Sequence, residues 1–291
     1  MKVAISGASG LVGSALSAAL RASGHEPRAM KRGATGTGID LPALEGADAI
    51  VHLAGAGIAD ARWTAARKRE LVDSRVSMTR KLVEAIRPLS SPPKILLSGS
   101  AVGVYGDRGD EVLTERSAIG RATDEGAGFL AGLCDQWEAA SRPAEALGMR
   151  LVHLRTGVVL SAKGGALAKM LTPFRAGAGG PIGGGKQWMG WIAIDDVTGA
   201  IEHLLRTDSV RGPFNLTSPN PVTNADFTRT LGNVLHRPAI IPVPAFAARL
   251  AFGEVADAAL LASQRALPEA LQASGYEFRQ PLLEAALRAA L

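Results

Sequence analysis

Val3-Ala4-Ile5-Ser6 runs straight into Gly7-Ala8-Ser9-Gly10-Leu11-Val12-Gly13, and this opening decides the fold. A short apolar strand is followed by a turn with glycine at its first, fourth and seventh positions. Residues 14–22 then carry a helical pattern that Gly24 ends. In a strand–turn–helix unit the first glycine permits the tight turn, the second lets backbone approach a pyrophosphate, and the third lets helix and strand pack closely. The start of the helix presents unpaired N–H groups and the positive end of its dipole to the phosphates. Gly7, Ser9, Gly10, Leu11, Val12 and Gly13 are therefore candidates for holding a dinucleotide.

Outward from the turn, strand and helix patterns alternate. Residues 26–30 read as a second strand. Residues 48–54 (DAIVHLA) read as a third, nearly all apolar, as a strand covered on both faces should be. Residues 64–86 form one long helix stopped by Pro88 and the SSPP stretch. KILLS at 94–98 is a fourth strand, 129–147 a helix with Gly148 at its C′ position, and 150–154 a fifth strand. This rhythm specifies an α/β doubly wound parallel sheet of the Rossmann type. After residue 155 the texture changes. Glycines cluster at GAGGPIGGG (177–185), a helix follows at 196–205, and then come PFNLTSPNPV (213–222), a helix over 224–235, a Pro-rich run and a last helix from Leu282. The expected organisation is a dinucleotide-binding domain over 1–154 and a smaller C-terminal substrate lobe over 155–291, with residues 190–206 returning to the Rossmann core.

Bulk properties narrow the class. With 291 residues, 47% hydrophobic and 20% charged, the chain has the composition of a globular α/β protein. No apolar run reaches the roughly 18 residues that a membrane span needs, and the N-terminal apolar run is too short for a secretory signal. These features place the protein in the cytoplasm, away from membranes. A single cysteine, Cys134, excludes an intramolecular disulfide and a multi-cysteine zinc site, so no metal is expected. The net charge of +5 suits anionic small molecules. Nucleic acid is not an expected partner, because no long Lys/Arg run occurs and aromatic residues are only 4%. A monomer or a homodimer fits these properties equally.

The residue type after the second strand selects the dinucleotide. An acid there would hold the ribose 2′-hydroxyl of NAD. This chain has Lys31-Arg32, two cations suited to a 2′-phosphate, so NADP(H) is favoured over NAD(H).

GASGLVG at 7–13, Asp40-Leu41, HLAG at 52–55 and ILLSGSAVGVYG at 95–106 resemble the extended short-chain dehydrogenase/reductases. RWT at 62–64, SRV at 74–76, FLAGLCDQWE at 129–138, RTGVVLSAKGGAL at 155–167, GGGKQWMGWIAIDD at 183–196 and GYEFRQPLLEAAL at 275–287 are similar to the atypical branch of NAD(P)-dependent epimerase-like proteins of unassigned substrate. The resemblance implies that Asp40 meets the adenine amino group with Leu41 beside the ring. It also implies that Leu53, Ala54 and Gly55 run along the cofactor, that Lys31 and Arg32 face the 2′-phosphate, and that Arg62 lies near the cofactor.

Enzymes of this superfamily carry Tyr-x-x-x-Lys on one helix, where the ammonium lowers the phenol pKa for proton exchange with substrate. Neither Tyr105 nor Tyr276, the two tyrosines of this chain, has lysine four residues on; Gly109 and Gln280 stand there. In the register of the resemblance Phe129 takes the tyrosine position and Leu133 the lysine position. Ser98 and Ser100, at the end of the fourth strand, remain as candidate catalytic hydroxyls, and Tyr105 as a substitute phenol. Arg155, Lys186, Gln187, Trp188 and Trp191 are candidates for the substrate side. Asp195-Asp196 reads as the N-cap of the following helix. Two functions stay open: an NADP(H)-dependent epimerase- or reductase-like enzyme with altered proton chemistry, acting on a carbonyl compound or nucleotide sugar, and a sensor or scaffold that holds NADP(H) without turnover.

Overall fold

The computed structural model describes residues 1–31, 38–121, 123 and 127–291. Six parallel strands build the central sheet: β1 (Lys2–Ser6), β2 (Glu26–Ala29), β3 (Ala49–His52), β4 (Ile95–Ala101), β5 (Arg150–Thr156) and β6 (Gly212–Leu216). Their spatial order is β6-β5-β4-β3-β1-β2. The chain leaves β1 in one direction to make β2 and returns on the other side to make β3. The carboxyl ends of β1 and β3 therefore flank the topological switch point, where open α/β sheets bind their ligands.

Both faces of the sheet are covered. α1 (Leu11–Ala22) turns Leu16 and Leu20 inward one helical turn apart, and α6 (Ile194–Arg206) adds Val197, Ile201 and Leu204 to the same core. On the opposite face α3 (Met78–Ile86) packs Leu82, Val83 and Ile86 on Ile50 and Leu96. α4 (Gly128–Ser141) lies beside it and continues as a 3-10 turn over Arg142–Leu147. Gly148 then takes a positive φ of 80° that ends the segment. A separate apolar core joins α5 (Gly165–Arg175), α7 (Asn224–Leu235) and α9 (Leu283–Ala290) around Trp191 and Phe227. α8 (Ala245–Phe252) lies outside that core.

Three local expectations are corrected. The helix expected over 64–86 is interrupted: Thr64 caps α2 (Ala65–Val72), and a π turn over Asp73–Ser77 joins it to α3. Asp195 and Asp196 do not cap α6, whose N-cap is Ala193; they stand in its first turn. The buried Asp196 carboxylate accepts instead from the Tyr276 hydroxyl and from the Arg279 and Gln280 amides at 2.7–3.0 Å, fastening the C-terminal segment. Finally, PFNLTSPNPV contributes β6 to the sheet edge, so more of the second half returns to the core than residues 190–206. Phe214 and Leu216 drive this by burying against the α6 side.

Candidate functional site

The glycine turn leaves no room for larger residues. Gly7 has a positive φ of 72°, and a Cβ on it would stand 3.0 Å from Ala54 N and from the Leu53 carbonyl carbon. A Cβ on Gly13 would stand 2.2 Å from the Gly7 carbonyl oxygen. Gly10 donates its amide to Gly7 O at 3.0 Å and begins α1 with no side-chain cap. The helix start is thus bare, as an anion site requires. Ser9 is exposed at the tip, Leu11 and Val12 are half-buried, and the edge formed by the half-buried Leu53 and Ala54 and the exposed Gly55 lies alongside. The structure therefore brings Gly7–Gly13 and Leu53–Gly55 together at the switch point.

A hydrogen-bond chain fixes this juxtaposition. The Leu53 and Ala54 amides both donate to Ser6 Oγ at 3.2 Å. With its lone pairs engaged, Ser6 donates its proton to His52 Nδ1 at 2.6 Å. His52 Nε2–H then donates to Thr79 Oγ1 at 3.0 Å, and Thr79 donates to the Arg75 carbonyl at 2.6 Å. Burial pulls the imidazole pKa down to about 4, so His52 stays neutral as this arrangement demands.

Behind the Gly55–Ala59 stretch stand three cations. Arg75 donates to Ala56 O at 2.8 Å, Arg67 to Gly57 O at 2.5 Å, and Lys169 to Ala59 O at 3.0 Å. Ser74 accepts from the Ala56 amide at 3.1 Å. Ser74 and Arg75 come from the π turn, which explains the SRV motif in local terms.

Asp40 caps a short helical turn through the Ala43 amide and also accepts from the Lys31 amide at 2.9 Å. It thereby holds the chain just after β2, with Leu41 half-buried beside it and the Lys31 side chain exposed. Arg32 lies outside the described residues. Arg62, expected beside the cofactor, is turned elsewhere: its guanidinium donates to the Leu250 and Ala251 carbonyls at the end of α8.

The hydroxyl candidates point inward. Ser98 is completely enclosed and its Oγ has no hydrogen-bond partner among the described residues. Ser100 donates to Glu138 Oε1 at 2.7 Å. Tyr105 is fully buried; its hydroxyl donates to Asn215 Oδ1 at 2.8 Å and accepts from Arg155 at 3.0 Å. Burial raises its pKa, against the pull of Arg155. Tyr105 is thus corrected from substitute phenol to core residue. Arg155 is likewise corrected from cleft cation to one half of a buried bidentate pair with Glu138, at 2.8 and 2.9 Å. Burial opposes both charges, but each partner's hydrogen bonds outweigh it: the Glu138 pKa is lowered and that of Arg155 raised.

On the lobe side, Trp191 is fully buried and donates to Asn220 O at 2.9 Å, so it is a core residue and not a cleft residue. Gln187 is largely buried and its amide donates to the Ile182 and Leu260 carbonyls, while the residue lines the same cleft as Lys186. Trp188 donates to Asp110 at 2.9 Å and stacks under Arg265. Lys186 is exposed and lines a cleft of about 640 Å³ with Asp107, Asp110, Arg249 and Ser263. Phe129, half-buried at the start of α4, packs edge-on against Trp63 with Lys68 over its ring, and Leu133 is buried. Among the described residues no cluster of His, Cys, Asp and Glu could hold a metal, and no helix is long and apolar enough to cross a membrane.

Ser6, Ser74, Arg75, Thr79 and Glu138 escape a reading of the sequence for site residues. Each also has a partner far along the chain, Ser6 being 46 residues from His52, Ser74 18 from Ala56, Arg75 19 from Ala56, Thr79 27 from His52 and Glu138 38 from Ser100, and no spacing rule links these.

Comparisons with known proteins agree with this architecture. The family described as "NAD dependent epimerase/dehydratase family" matches residues 3–217, and "Domain of unknown function (DUF1731)" matches residues 243–290. The chain is 42% identical to Epimerase family protein Mb2239 of Mycobacterium bovis, over 98% of this chain and 96% of that protein. It is 35% identical to Epimerase family protein YfhF of Bacillus subtilis, over 99% and 97% respectively. The crystal structure of human epimerase family protein SDR39U1 (isoform 2) with NADPH superposes with a TM-score of 0.91 at 36% identity, covering 100% of this chain and 99% of that one. The chain therefore belongs to the NAD dependent epimerase/dehydratase family, within the atypical extended short-chain dehydrogenase/reductases.

Proposed function

We propose that this protein binds NADP(H) at the switch point and acts, epimerase- or reductase-like, on a small molecule admitted from the lobe side. One observation carries the reading: the uncapped start of α1, closed in by glycines at positions where a Cβ would collide, lies against the Leu53–Gly55 edge. Gly7, Ser9, Gly10, Leu11, Val12 and Gly13 would hold the pyrophosphate, Leu53, Ala54 and Gly55 would flank the cofactor, and Asp40 with Leu41 would meet the adenine. Lys31 and Arg32 would meet the 2′-phosphate, and the NADPH of the human relative supports that preference. Bound NADP(H) would supply hydride chemistry. Lys186 and Gln187, which line the cleft, and the half-buried Trp188 are the substrate-side candidates that keep access to the cleft or the surface.

A second reading, retention of NADP(H) without turnover, is favoured by one specific observation. The hydroxyl protons of Ser100 and Tyr105 are both committed inward, and Ser98 is enclosed. Combined with Phe129 and Leu133 at the expected dyad positions, this leaves the Tyr–Lys type of proton exchange without its groups. The test is titration calorimetry with NADPH and NADH, followed by a panel of carbonyl compounds and nucleotide sugars watched through the absorbance of the reduced nicotinamide. Binding with turnover supports the enzyme. Tight binding with none across the panel supports the sensor, and no heat with either nucleotide defeats both.

A further inference from the structure

The large apolar side chains that the fold leaves in solvent gather on one segment. Ile240, Ile241, Phe246, Leu250 and Phe252 are all exposed, Phe246 at 71% and Leu250 at 75%, whereas Ala248 alone of the α8 residues is buried. A helix that turns alanine inward and phenylalanine and leucine outward inverts the usual arrangement, and such a patch marks a surface that meets something apolar. Its place on the helix is specific. Ala245 and Arg249, one turn apart on α8, line the cleft of about 640 Å³. Phe246 and Leu250, also one turn apart, form the neighbouring row, with Phe246 and Arg249 adjacent on the helix surface at i and i+3. The apolar ridge is thus a rim of the cleft.

The polar lining of the cleft carries both signs of charge, and only part of it is paired internally. Arg249 donates through Nε to Asp257 at 2.9 Å. Lys186 is exposed and has no hydrogen bond or ion pair among the described residues. Asp107 accepts from the Ser263 and Gly109 amides at 3.0 and 3.3 Å, and Asp110 from the Trp188 indole at 2.9 Å. Those donors are neutral, so both carboxylates are fixed in place without a counter-charge. Trp188 is steadied in turn by the Arg265 guanidinium, 4.2 Å from its ring centre. The cleft therefore offers a free ammonium and two fixed carboxylates beside an apolar rim. A second copy of this chain fits the rim poorly. Residues 227–253 hold Arg229, Arg237 and Arg249 and no acid, so two ridges face to face would set like charges together.

We propose that the ligand of this cleft is a zwitterionic amphiphile. Its head carries an ammonium that meets Asp107 and Asp110 and a carboxylate that meets Lys186, and its apolar chain lies along Phe246 and Leu250. This rests on the reading of the cleft as the substrate side of an NADP(H)-binding protein, and it names the class of that substrate. A head of one sign would be attracted by one set of these charges and repelled by the other, whereas a head with both signs answers both. The chain gains affinity in proportion to the apolar surface that it and the ridge remove from water.

The probe is α-aminodecanoate. Decanoate and decylamine each lack one of its charges, and α-aminobutyrate lacks its chain. Calorimetry is run on the parent with and without saturating NADPH, and on Lys186→Gln, Asp110→Asn and the double variant Phe246→Ser with Leu250→Ser, all changes at exposed positions. The expected result is that α-aminodecanoate binds about tenfold or more tighter than each of the other three. Lys186→Gln should weaken α-aminodecanoate and decanoate about tenfold and spare decylamine, and Asp110→Asn should weaken α-aminodecanoate and decylamine and spare decanoate. The double variant should bring α-aminodecanoate close to α-aminobutyrate. Equal affinity for long and short chains, or unchanged affinity in the double variant, overturns the proposal. So does a double variant that loses only self-association in sedimentation or only binding to anionic vesicles, because the ridge is then an interface. If the parent binds NADPH but not α-aminodecanoate, this proposal alone has failed. If it binds no NADPH, the dinucleotide reading has failed, and the titrations without nucleotide still decide the amphiphile.

Discussion

Ser6 Oγ and His52 Nδ1 lie 2.6 Å apart at the adjacent ends of β1 and β3, and the proton between them belongs to the serine. The two amides that Ser6 accepts leave it no other role. One neutral imidazole thereby determines where the Leu53–Ala54 backbone sits relative to the glycine turn.

His52→Asn should be close to the parent protein in NADPH affinity, because the Asn carbonyl can take the place of Nδ1 as acceptor. His52→Gln and His52→Ala should weaken NADPH about tenfold or more, since Ser6 loses its acceptor. Calorimetry on the three variants checks this. Equal loss in all three would show that the ring only fills space.

The same residue predicts an acid response. In the unfolded chain His52 takes up a proton near its ordinary 6.5, whereas in the folded protein it does so only near 4. The unfolded state binds more protons between those values, so stability should fall as pH drops from about 6.5 towards 4, by on the order of 3 kcal/mol from this group. Denaturant unfolding as a function of pH measures it. The parent should lose more stability over that window than His52→Asn does.

Gly13→Ala forces a methyl group against the Gly7 carbonyl, so α1 must shift away from its turn. NADPH affinity should fall about a hundredfold, as close positioning of phosphate and amides is lost. A variant with unchanged affinity would show that the glycine turn does not touch the ligand.

Glu138→Gln leaves the Arg155 guanidinium buried without its carboxylate. Stability should drop by about 3–5 kcal/mol, the range for breaking a buried pair. Tyr105→Phe should cost about 1–3 kcal/mol by depriving Asn215 and Arg155 of a partner, with no effect on turnover. Urea unfolding and steady-state rates on the two variants test both statements. Turnover abolished in folded Tyr105→Phe would restore that phenol to the chemistry.

Lys31→Ala combined with Arg32→Ala should weaken NADPH by about 1–3 kcal/mol, the order for charge-assisted hydrogen bonds, and spare NADH. Equal weakening of both nucleotides would remove the basis for the 2′-phosphate preference.

Much of the fold is legible along the chain because it is written in local chemistry. Glycine at 7, 10 and 13 after an apolar strand, the apolar run ending in HLAG, and the two cations at 31 and 32 are each readable within a few residues. They specify the strand–turn–helix start, the parallel sheet and the candidate cofactor edge. The absence of lysine four residues after either tyrosine is equally plain from the sequence.

What tertiary structure alone decided is the direction in which polar side chains spend their hydrogen bonds. Ser100, Tyr105 and Arg155 have the residue types and strand-end positions of a reacting site, yet their capacity is consumed by Glu138 and Asn215, which approach from α4 and β6. Trp191 lies in a motif that resembles a cleft but faces the lobe core. Arg75, quoted along the chain only as part of SRV, is shown by the tertiary structure to pack behind the Gly55–Ala56 backbone and to donate to Ala56 O. Burial and partner geometry arise from segments tens of residues apart, so no local pattern encodes them.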